Sequence, residues 1–108
     1  MASTWLALSD PHRRAAIELL RERPRTVNEL VAQLGLTQPG TSKHLRVLRE
    51  AGLVRVRPEA QRRVYEIDPG PLAELDAWLA PYRELWDASL DALGRHLERR
   101  RDADDGHV

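Results

Sequence analysis

The stretch TQPGTSKHLR, which begins at Thr37, combines hydrogen-bonding side chains with the start of a predicted helix. Thr37 can serve as the N-cap, which places Pro39 and Gly40 in the first turn, where backbone N–H groups have no intrahelical acceptor. Leu45 and Leu48 take inward positions, so the polar side chains are expected to point largely outward. A slim polar helix terminus of this kind suits the major groove of DNA, whose base edges such side chains can read. The outward set is Gln38, Thr41, Ser42, Lys43, His44 and Arg46.

Catalytic and cofactor-binding motifs are missing from the sequence. Ser, His and Asp all occur, but there is no G-x-S-x-G elbow, no phosphate-binding glycine loop and no H-E-x-x-H pair. The chain has no cysteine, which excludes disulfides and thiolate metal sites. We therefore expect neither an enzyme nor a bound cofactor.

Two further helices are predicted ahead of the polar helix. Asp10 is an N-cap with Pro11 at the first helical position, and the helix runs to about Arg23. The sequence TVNE is a capping box, in which the side chains of Thr26 and Glu29 each accept a hydrogen bond from the other residue's backbone N–H. It begins a short second helix. Three helices in this order are typical of a helix-turn-helix domain.

A β-hairpin is predicted directly after the polar helix. The sequence LVRVR alternates apolar residues with arginine, PEAQ reads as a turn, and RRVYEI returns. Arg62 and Arg63 follow the turn, and Arg55 and Arg57 precede it, so basic side chains are expected near the tip and on the outer face. The fold class is therefore mainly α with a small hairpin: a winged helix-turn-helix with its core in residues 9–68.

A long apolar stripe follows from about residue 71 to residue 100. Apolar residues recur there at spacings of three and four, which predicts a helix, and Pro81 predicts a kink or a break near residue 80. The stripe is broader than one terminal helix needs, so self-association is expected, with an N-terminal helix alongside. One domain over residues 1–101 and a disordered tail over 102–108 are predicted. The expected dimerisation residues are Trp5, Leu8, Leu75, Trp78, Leu79, Tyr82, Leu85 and Trp86.

Charge is divided unequally along the chain although the formal net charge is zero. Residues 1–66 hold 12 Lys and Arg against 7 Asp and Glu, a net charge of +5, and residues 67–108 hold 5 against 10, a net charge of −5. This asymmetry is compatible with a nucleic-acid face and a separate association element. No apolar run reaches membrane-spanning length and no signal peptide is recognisable, so a cytoplasmic protein without a membrane partner is expected.

Three motifs together resemble the ArsR (ArsR/SmtB-type) family of bacterial winged-helix repressors. They are LSDPHRRAAIELL, TVNELVAQLGLTQPGTSKHLRVLREAGLV and RRVYEIDP, and with their surroundings they cover about residues 5 to 69. The segment AWLAPYRELWDASLDAL resembles a subgroup with a tryptophan-rich last helix. The resemblance implies a homodimer that binds an inverted repeat in double-stranded operator DNA, usually as a repressor. It places the base-reading positions at Gln38, Thr41, Ser42, Lys43 and His44 and the wing contacts at Arg62 and Arg63.

The sequence departs from the metal-sensing members of that family. Where many of them carry cysteines, this chain reads NELVAQL, and its last helix offers only His96, followed at i+3 by Arg99. A metal sensor is therefore not expected, and the sequence identifies no small-molecule effector. The alternative function is a winged helix that serves as a protein–protein interaction module and never binds DNA.

Overall fold

The computed structural model describes the backbone of residues 1–105 and the side chains of residues 1–100. Its elements, in chain order, are α1 (Ala2–Leu8), α2 (Pro11–Glu22), β1 (Arg25–Thr26), α3 (Val27–Leu34), α4 (Gln38–Glu50), β2 (Val54–Glu59), β3 (Arg62–Ile67) and α5 (Gly70–Asp105). The strands form one antiparallel sheet in the order β1-β3-β2. This confirms the predicted class, a mainly helical winged helix-turn-helix with a small sheet.

The predicted helix caps are present in α2 and α3. The Asp10 carboxylate accepts hydrogen bonds from the backbone N–H groups of His12 (2.8 Å) and Arg13 (3.2 Å). Thr26 and Glu29 form the complete capping box, and Gly35 ends α3 in the left-handed conformation with a φ of 67°. Because both ends of α3 are fixed by local sequence, the turn that leads into α4 starts from a defined point.

Aliphatic side chains from α1, α2, α3, α4 and β2 form the core. Leu30 of α3, Leu45 and Leu48 of α4, and Leu53 just before β2 are fully buried, and Ala16 of α2 packs with them. The sequence contains no phenylalanine, so such a core is built from small and branched residues. The core packs against only one side of α4, so the opposite side of that helix stays in solvent.

The strand β1 was not predicted. Its two residues, Arg25 and Thr26, pair with Tyr65 and Val64 of β3. Arg25 is buried, and its guanidinium bonds to the backbone oxygen of Leu19 at 3.1 Å and to the Glu22 carboxylate at 2.8 Å. A two-residue strand has no periodicity, so no pattern in the sequence could have indicated it.

The helix α5 runs through Pro81 without interruption, so the predicted break is wrong. Contacts divide the chain into two compact units, Met1–Leu75 and Asp76–Val108, and α5 contributes to both. The helix is described as far as Asp105 and so includes the first residues of the segment predicted to be disordered, whereas residues 106–108 lie outside the described part. None of the described helices has both the length and the apolar content needed to cross a membrane.

Candidate nucleic-acid interface

The N-terminus of α4 is held by its cap and shaped by its glycine. The Thr37 hydroxyl accepts a hydrogen bond from the backbone N–H of Gly40 at 3.2 Å, as the sequence predicted. A Cβ at position 40 would lie 3.0 Å from that same hydroxyl oxygen, closer than side chains normally approach. Glycine therefore keeps the first turn narrow and also leaves room for the cap.

Four of the six polar residues predicted to point outward on α4 are exposed to solvent. Gln38 lies in the first turn, Ser42 and Lys43 in the second, and Arg46 one turn further on. The side chains offer amide, hydroxyl and cationic donors within about 12 Å along the helix axis, at 1.5 Å of rise per residue. This side of α4 can therefore contact both base edges and phosphates.

Thr41 corrects the sequence prediction, because its side chain is buried and does not point outward. It lies four residues before Leu45 and seven before Leu48, which places it on the same inward side of the helix. Its hydroxyl donates a hydrogen bond to the backbone oxygen of Thr37 at 2.9 Å, so the polar atom is satisfied inside the protein. Thr41 has no access to a base in this conformation.

His44 is half-buried and lies beside α2. Its Nδ1 is 3.5 Å from Nη1 of Arg13, and its ring centroid is 5.7 Å from that of His12. The ring is thus at the edge of the exposed side of α4, neither fully outward nor part of the core.

Arg13 links α1, α2 and α4, a role that no sequence pattern had indicated. Its Nε donates to the backbone oxygen of Ala7 at 2.6 Å and its Nη2 to that of Leu6 at 3.0 Å. These are carbonyls of the last turn of α1, where the regular hydrogen bonds of the helix end; the Leu6 oxygen also accepts from the backbone N–H and the hydroxyl of Ser9. One guanidinium therefore holds the end of α1 and also contacts His44 of α4.

The carboxyl of Asp10 is influenced by the same group of residues. Partial burial by itself would raise its pKa. The backbone N–H groups of Arg13 and His12, and the nearby positive charges of His44 and Arg13, outweigh burial, so the pKa of Asp10 is lowered from 3.8. The ionised form of the cap is therefore favoured in the folded protein.

The hairpin places two predicted residues near the start of α4. Ala60 turns the chain with a φ of 56°, and Arg62 and Arg63 follow as exposed residues of β3. A cleft of about 250 Å³ brings both arginines together with Gln38. The remaining residues of its lining are Thr26, Val27, Asn28 and Gln61. Asn28 and Gln61 are exposed polar residues that the sequence analysis did not select, since neither belongs to a recognisable motif.

Two other arginines of the hairpin share one carboxylate. Arg55 Nε lies 3.0 Å and Arg57 Nε 3.4 Å from the two carboxylate oxygens of Glu66. Within the side chains described, by contrast, no carboxylate forms an ion pair with Lys43, Arg46, Arg62 or Arg63. The start of α4 and the tip of the hairpin thus both carry positive charge without an ion pair among the described side chains, and phosphates could neutralise it.

The expected dimerisation residues differ in exposure. Trp5 in α1 and Trp78, Tyr82, Leu85 and Trp86 in α5 are exposed, and the rings of Trp78 and Tyr82 stack at 4.8 Å. Leu75 and Leu79 are partly buried, and Leu8 packs against the core of its own chain.

Among the residues that the structure describes, no three His, Asp or Glu side chains are placed to hold a metal ion.

Comparisons with known proteins agree on one family. A family model described as "Bacterial regulatory protein, arsR family" matches residues 10–56. The HTH-type transcriptional regulator Rv2034 of Mycobacterium tuberculosis is 48% identical over 71 residues, which span 66% of this chain and 66% of that protein.

Solved structures give the same result over more of the chain. The crystal structure of an ArsR family transcriptional regulator, RHA00566, matches with a TM-score of 0.69 and 34% identity, over 80% of this chain and 89% of the other. The homodimeric winged helix-turn-helix DNA-binding domain of Mb0332 from Mycobacterium bovis, a possible ArsR-family transcriptional regulator, matches with a TM-score of 0.64 and 28% identity over 77% of both chains.

Proposed function

Because the chain belongs to the ArsR family of bacterial regulatory proteins, we propose that it is a homodimeric repressor that binds an inverted-repeat operator. The relatives are regulators and not enzymes, in agreement with the missing catalytic motifs. One observation carries the proposal: the start of α4 and the tip of the hairpin share a cleft, and their basic residues lack ion pairs within the described part of the chain.

The exposed side of α4 is proposed to enter the major groove. Gln38, Ser42 and Lys43 are near its N-terminal end, where recognition helices contact base edges. Arg46 lies further along the helix and is proposed to contact a phosphate of the DNA backbone. His44 remains a proposed DNA contact at the edge of this surface, whereas Thr41 acts by packing.

The hairpin is proposed to contact the DNA backbone beside the groove. Arg62 and Arg63 are exposed near the tip, and charge-assisted contacts from arginine to phosphate position a protein without reading its sequence. Asn28 and Gln61 line the same cleft and are proposed to add hydrogen bonds there. A bacterial regulator that binds an operator acts where the DNA is, so the proposed place of action is the cytoplasm.

A dimer is proposed because an inverted repeat requires two recognition helices about 34 Å apart. The exposed apolar residues of α1 and α5 are available for association, and the related Mb0332 domain is described as homodimeric. Replacing Trp86 with Ala, away from the proposed DNA contacts, should weaken both dimerisation and operator binding. The loss of the second half-site should reduce apparent affinity on the order of 100-fold.

The direct test is binding to a DNA fragment from the protein's own promoter, compared with a scrambled fragment of equal length. The double variant Arg62→Ala/Arg63→Ala should bind the promoter more weakly than the parent. Arg21→Ala is the matched control, because Arg21 is an exposed arginine that pairs with Glu18 on α2. If the parent fails to distinguish the two fragments while it still dimerises, the interaction-module alternative replaces this proposal.

A further inference from the structure

The two faces of the β2–β3 hairpin carry different side chains. Successive side chains of a strand point to opposite faces of the sheet, and directly paired residues share a face. The inner face consists of Val54, Val56, Pro58, Arg63, Tyr65 and Ile67, and the outer face of Arg55, Arg57, Glu59, Arg62, Val64 and Glu66. Both carboxylates of these two strands are therefore on the outer face, and Arg63 is the one charged residue of the inner face.

A cleft of about 280 Å³ separates the inner face from the end of α4. Arg49 of the last turn of α4 and Arg63 of β3 line it together with Val56 and Pro58 of β2. Val56 is half-buried and the other three residues are exposed. This inner cleft thus combines two guanidinium groups with two apolar side chains and has no carboxylate in its lining.

The two guanidinium groups of the inner cleft have no ion-pair partner among the side chains that the structure describes. Two positive charges that line one cleft repel each other, and an anion between them removes this repulsion. The apolar side chains of Val56 and Pro58 exclude part of the water that would otherwise weaken such an interaction. The inner cleft is therefore suited to an anion.

The cleft on the outer face is different. It measures about 240 Å³, and the carboxylates of Glu29 and Glu59 line it together with its arginines. Arg23 is already paired with Glu29 at 2.9 Å, and Arg57 with Glu66 at 3.4 Å. An anion on this face would have to compete with carboxylates of the protein, so we place no anion there.

The inner cleft continues the cleft at the start of α4, because Arg63 lines both of them. Gln38 lines the first cleft and Arg49 the second. Arg49 lies about 16 Å beyond Gln38 along the helix axis, and only about 20° from it around the axis. Together the two clefts follow one side of α4 for most of its length. A DNA backbone needs such an extended path, whereas a small anion would occupy one cleft only.

We propose that the inner cleft holds one phosphate group of the operator backbone between Arg49 and Arg63. This rests on the proposed function, since it names a contact by which the operator connects α4 to the hairpin. A phosphate accepts charge-assisted hydrogen bonds from two guanidinium groups at once. Arg49, which the sequence analysis did not select, is then a residue that positions the DNA and reads no base.

Titrations of promoter and scrambled fragments at several salt concentrations test the contact. Arg49→Ala should weaken binding to both fragments alike, by about tenfold, and should lower the salt slope by about 1 for each bound subunit. Arg49→Lys keeps the charge and should recover part of the affinity. Circular dichroism checks that the variants are folded.

Arg57→Ala is the matched control, because Arg57 is an exposed arginine of the same hairpin that lies on the outer face and pairs with Glu66. Its affinity should differ from that of the parent by less than about twofold. An Arg49→Ala protein that binds both fragments as tightly as the parent would overturn the proposal. So would an Arg57→Ala protein that loses as much affinity as Arg49→Ala.

The double variant Arg49→Ala/Arg63→Ala tests whether the two arginines share one phosphate. If they do, either single change already disrupts the contact, so the double variant should bind about as well as the weaker single variant. Its salt slope should fall by about 1 for each bound subunit and not by about 2. Losses that multiply, with the larger change in slope, would assign the arginines to separate phosphates and overturn the shared site.

Inorganic phosphate distinguishes the DNA backbone from a free anion as the source of the phosphate group. At constant ionic strength, low-millimolar phosphate should affect DNA binding by the parent and by Arg49→Ala equally. If it displaces DNA from the parent and not from Arg49→Ala, the inner cleft is a site for a small anion, and the proposal is overturned.

The two fragments also separate this inference from the proposed function, because a phosphate contact does not depend on base sequence. A parent that binds both fragments equally, with the expected losses in Arg49→Ala, overturns only the proposed function. A parent that prefers its promoter while Arg49→Ala is unchanged overturns only the phosphate site.

Discussion

The guanidinium of Arg13 lies 3.5 Å from the ring of His44 while it also bonds to the last carbonyls of α1. One side chain of α2 thus connects the N-terminal helix, which carries the exposed Trp5, to the helix proposed to read DNA. A change in the position of α1 would alter the surroundings of His44 through this single group. Arg13 is therefore a positioning residue of the proposed interface.

Arg13→Ala should destabilise the fold and also weaken DNA binding. The carbonyl of Ala7 would lose its donor from Arg13, whereas that of Leu6 would keep the backbone N–H and the hydroxyl of Ser9. The free energy of unfolding should fall by roughly 1–3 kcal/mol. Urea unfolding gives the stability, and promoter titration at a temperature where the variant is fully folded gives the affinity. Arg14→Ala, which removes a more exposed bond to Leu8, is the control and should have a smaller effect on both. Unchanged affinity in a folded Arg13→Ala variant would contradict the positioning role.

Gln38→Ala and Arg63→Ala should change DNA binding in different ways. Gln38 is proposed to contact base edges, so its loss should reduce the discrimination between operator and scrambled DNA by roughly 1–3 kcal/mol. Arg63 is proposed to contact phosphate, so its loss should weaken binding to both sequences alike and reduce the salt slope by about 1. Competition titrations at several salt concentrations measure both quantities. The docking model is wrong if Arg63→Ala changes only discrimination.

Thr41→Ala should act on stability and leave sequence preference unchanged. The variant loses the hydrogen bond to the Thr37 oxygen and some buried volume, so the free energy of unfolding should fall by about 1 kcal/mol. Ser42→Ala, at an exposed position one residue later, should leave stability almost unchanged. Thermal unfolding and competition binding of the two variants provide the comparison. A Thr41→Ala protein of normal stability and altered preference would return Thr41 to the set of base-reading residues.

Acid should destabilise the parent more than an Asp10→Asn variant. The pKa of Asp10 is lower in the folded protein than in the unfolded chain, so its contribution to stability is complete above about pH 4 and is lost as the pH falls through the folded pKa. Asparagine is an equally good N-cap that does not titrate in this range. Urea midpoints measured from pH 6 to pH 3 should therefore converge for the two proteins. Parallel curves would show that Asp10 does not contribute to the acid dependence.

Metal ions should not change operator affinity. The chain has no cysteine, and among its described residues no three acidic or histidine side chains are placed to bind an ion together. Titrations of the promoter complex with zinc, nickel or cobalt should match those run in chelator, and elemental analysis should find no stoichiometric metal. One tightly bound transition metal per chain would contradict this expectation.

Local sequence signals determined much of the fold. Asp10, the Thr26–Glu29 capping box, Gly35 and Thr37 each specify a helix end through hydrogen bonds within a few residues, so their positions could be predicted. The alternation of apolar residues and arginine predicted the strands of the hairpin, because this periodicity is also a local signal. Pro81 was only partly informative, because proline removes one hydrogen bond while the surrounding sequence can still continue the helix.

Features that depend on distant contacts could not be predicted. Thr41 is not such a feature, because its spacing of four and seven residues from Leu45 and Leu48 is local and already indicates the buried side of α4. Arg13 and the pairing of Arg25 with Tyr65 join residues far apart in sequence. The exposed positions of α4 were mostly predicted, because they follow from the local spacing of the helix. The contribution of Asn28 and Gln61 to the cleft was not predicted, because the folded chain is needed to bring them beside Gln38.

The two residues of β1 have a mechanical consequence for the hairpin. Thr26 is paired with Val64 of β3 and is also the N-cap of α3, so the middle of β3 and the first turn of α3 are attached to the same backbone segment. The hairpin cannot swing as an independent flap, because such a rotation would strain the pairing and the cap together. We therefore expect the motion of Arg62 and Arg63 to consist mainly of bending of the tip beyond Val64, with the hairpin keeping its angle to α4 before DNA is bound.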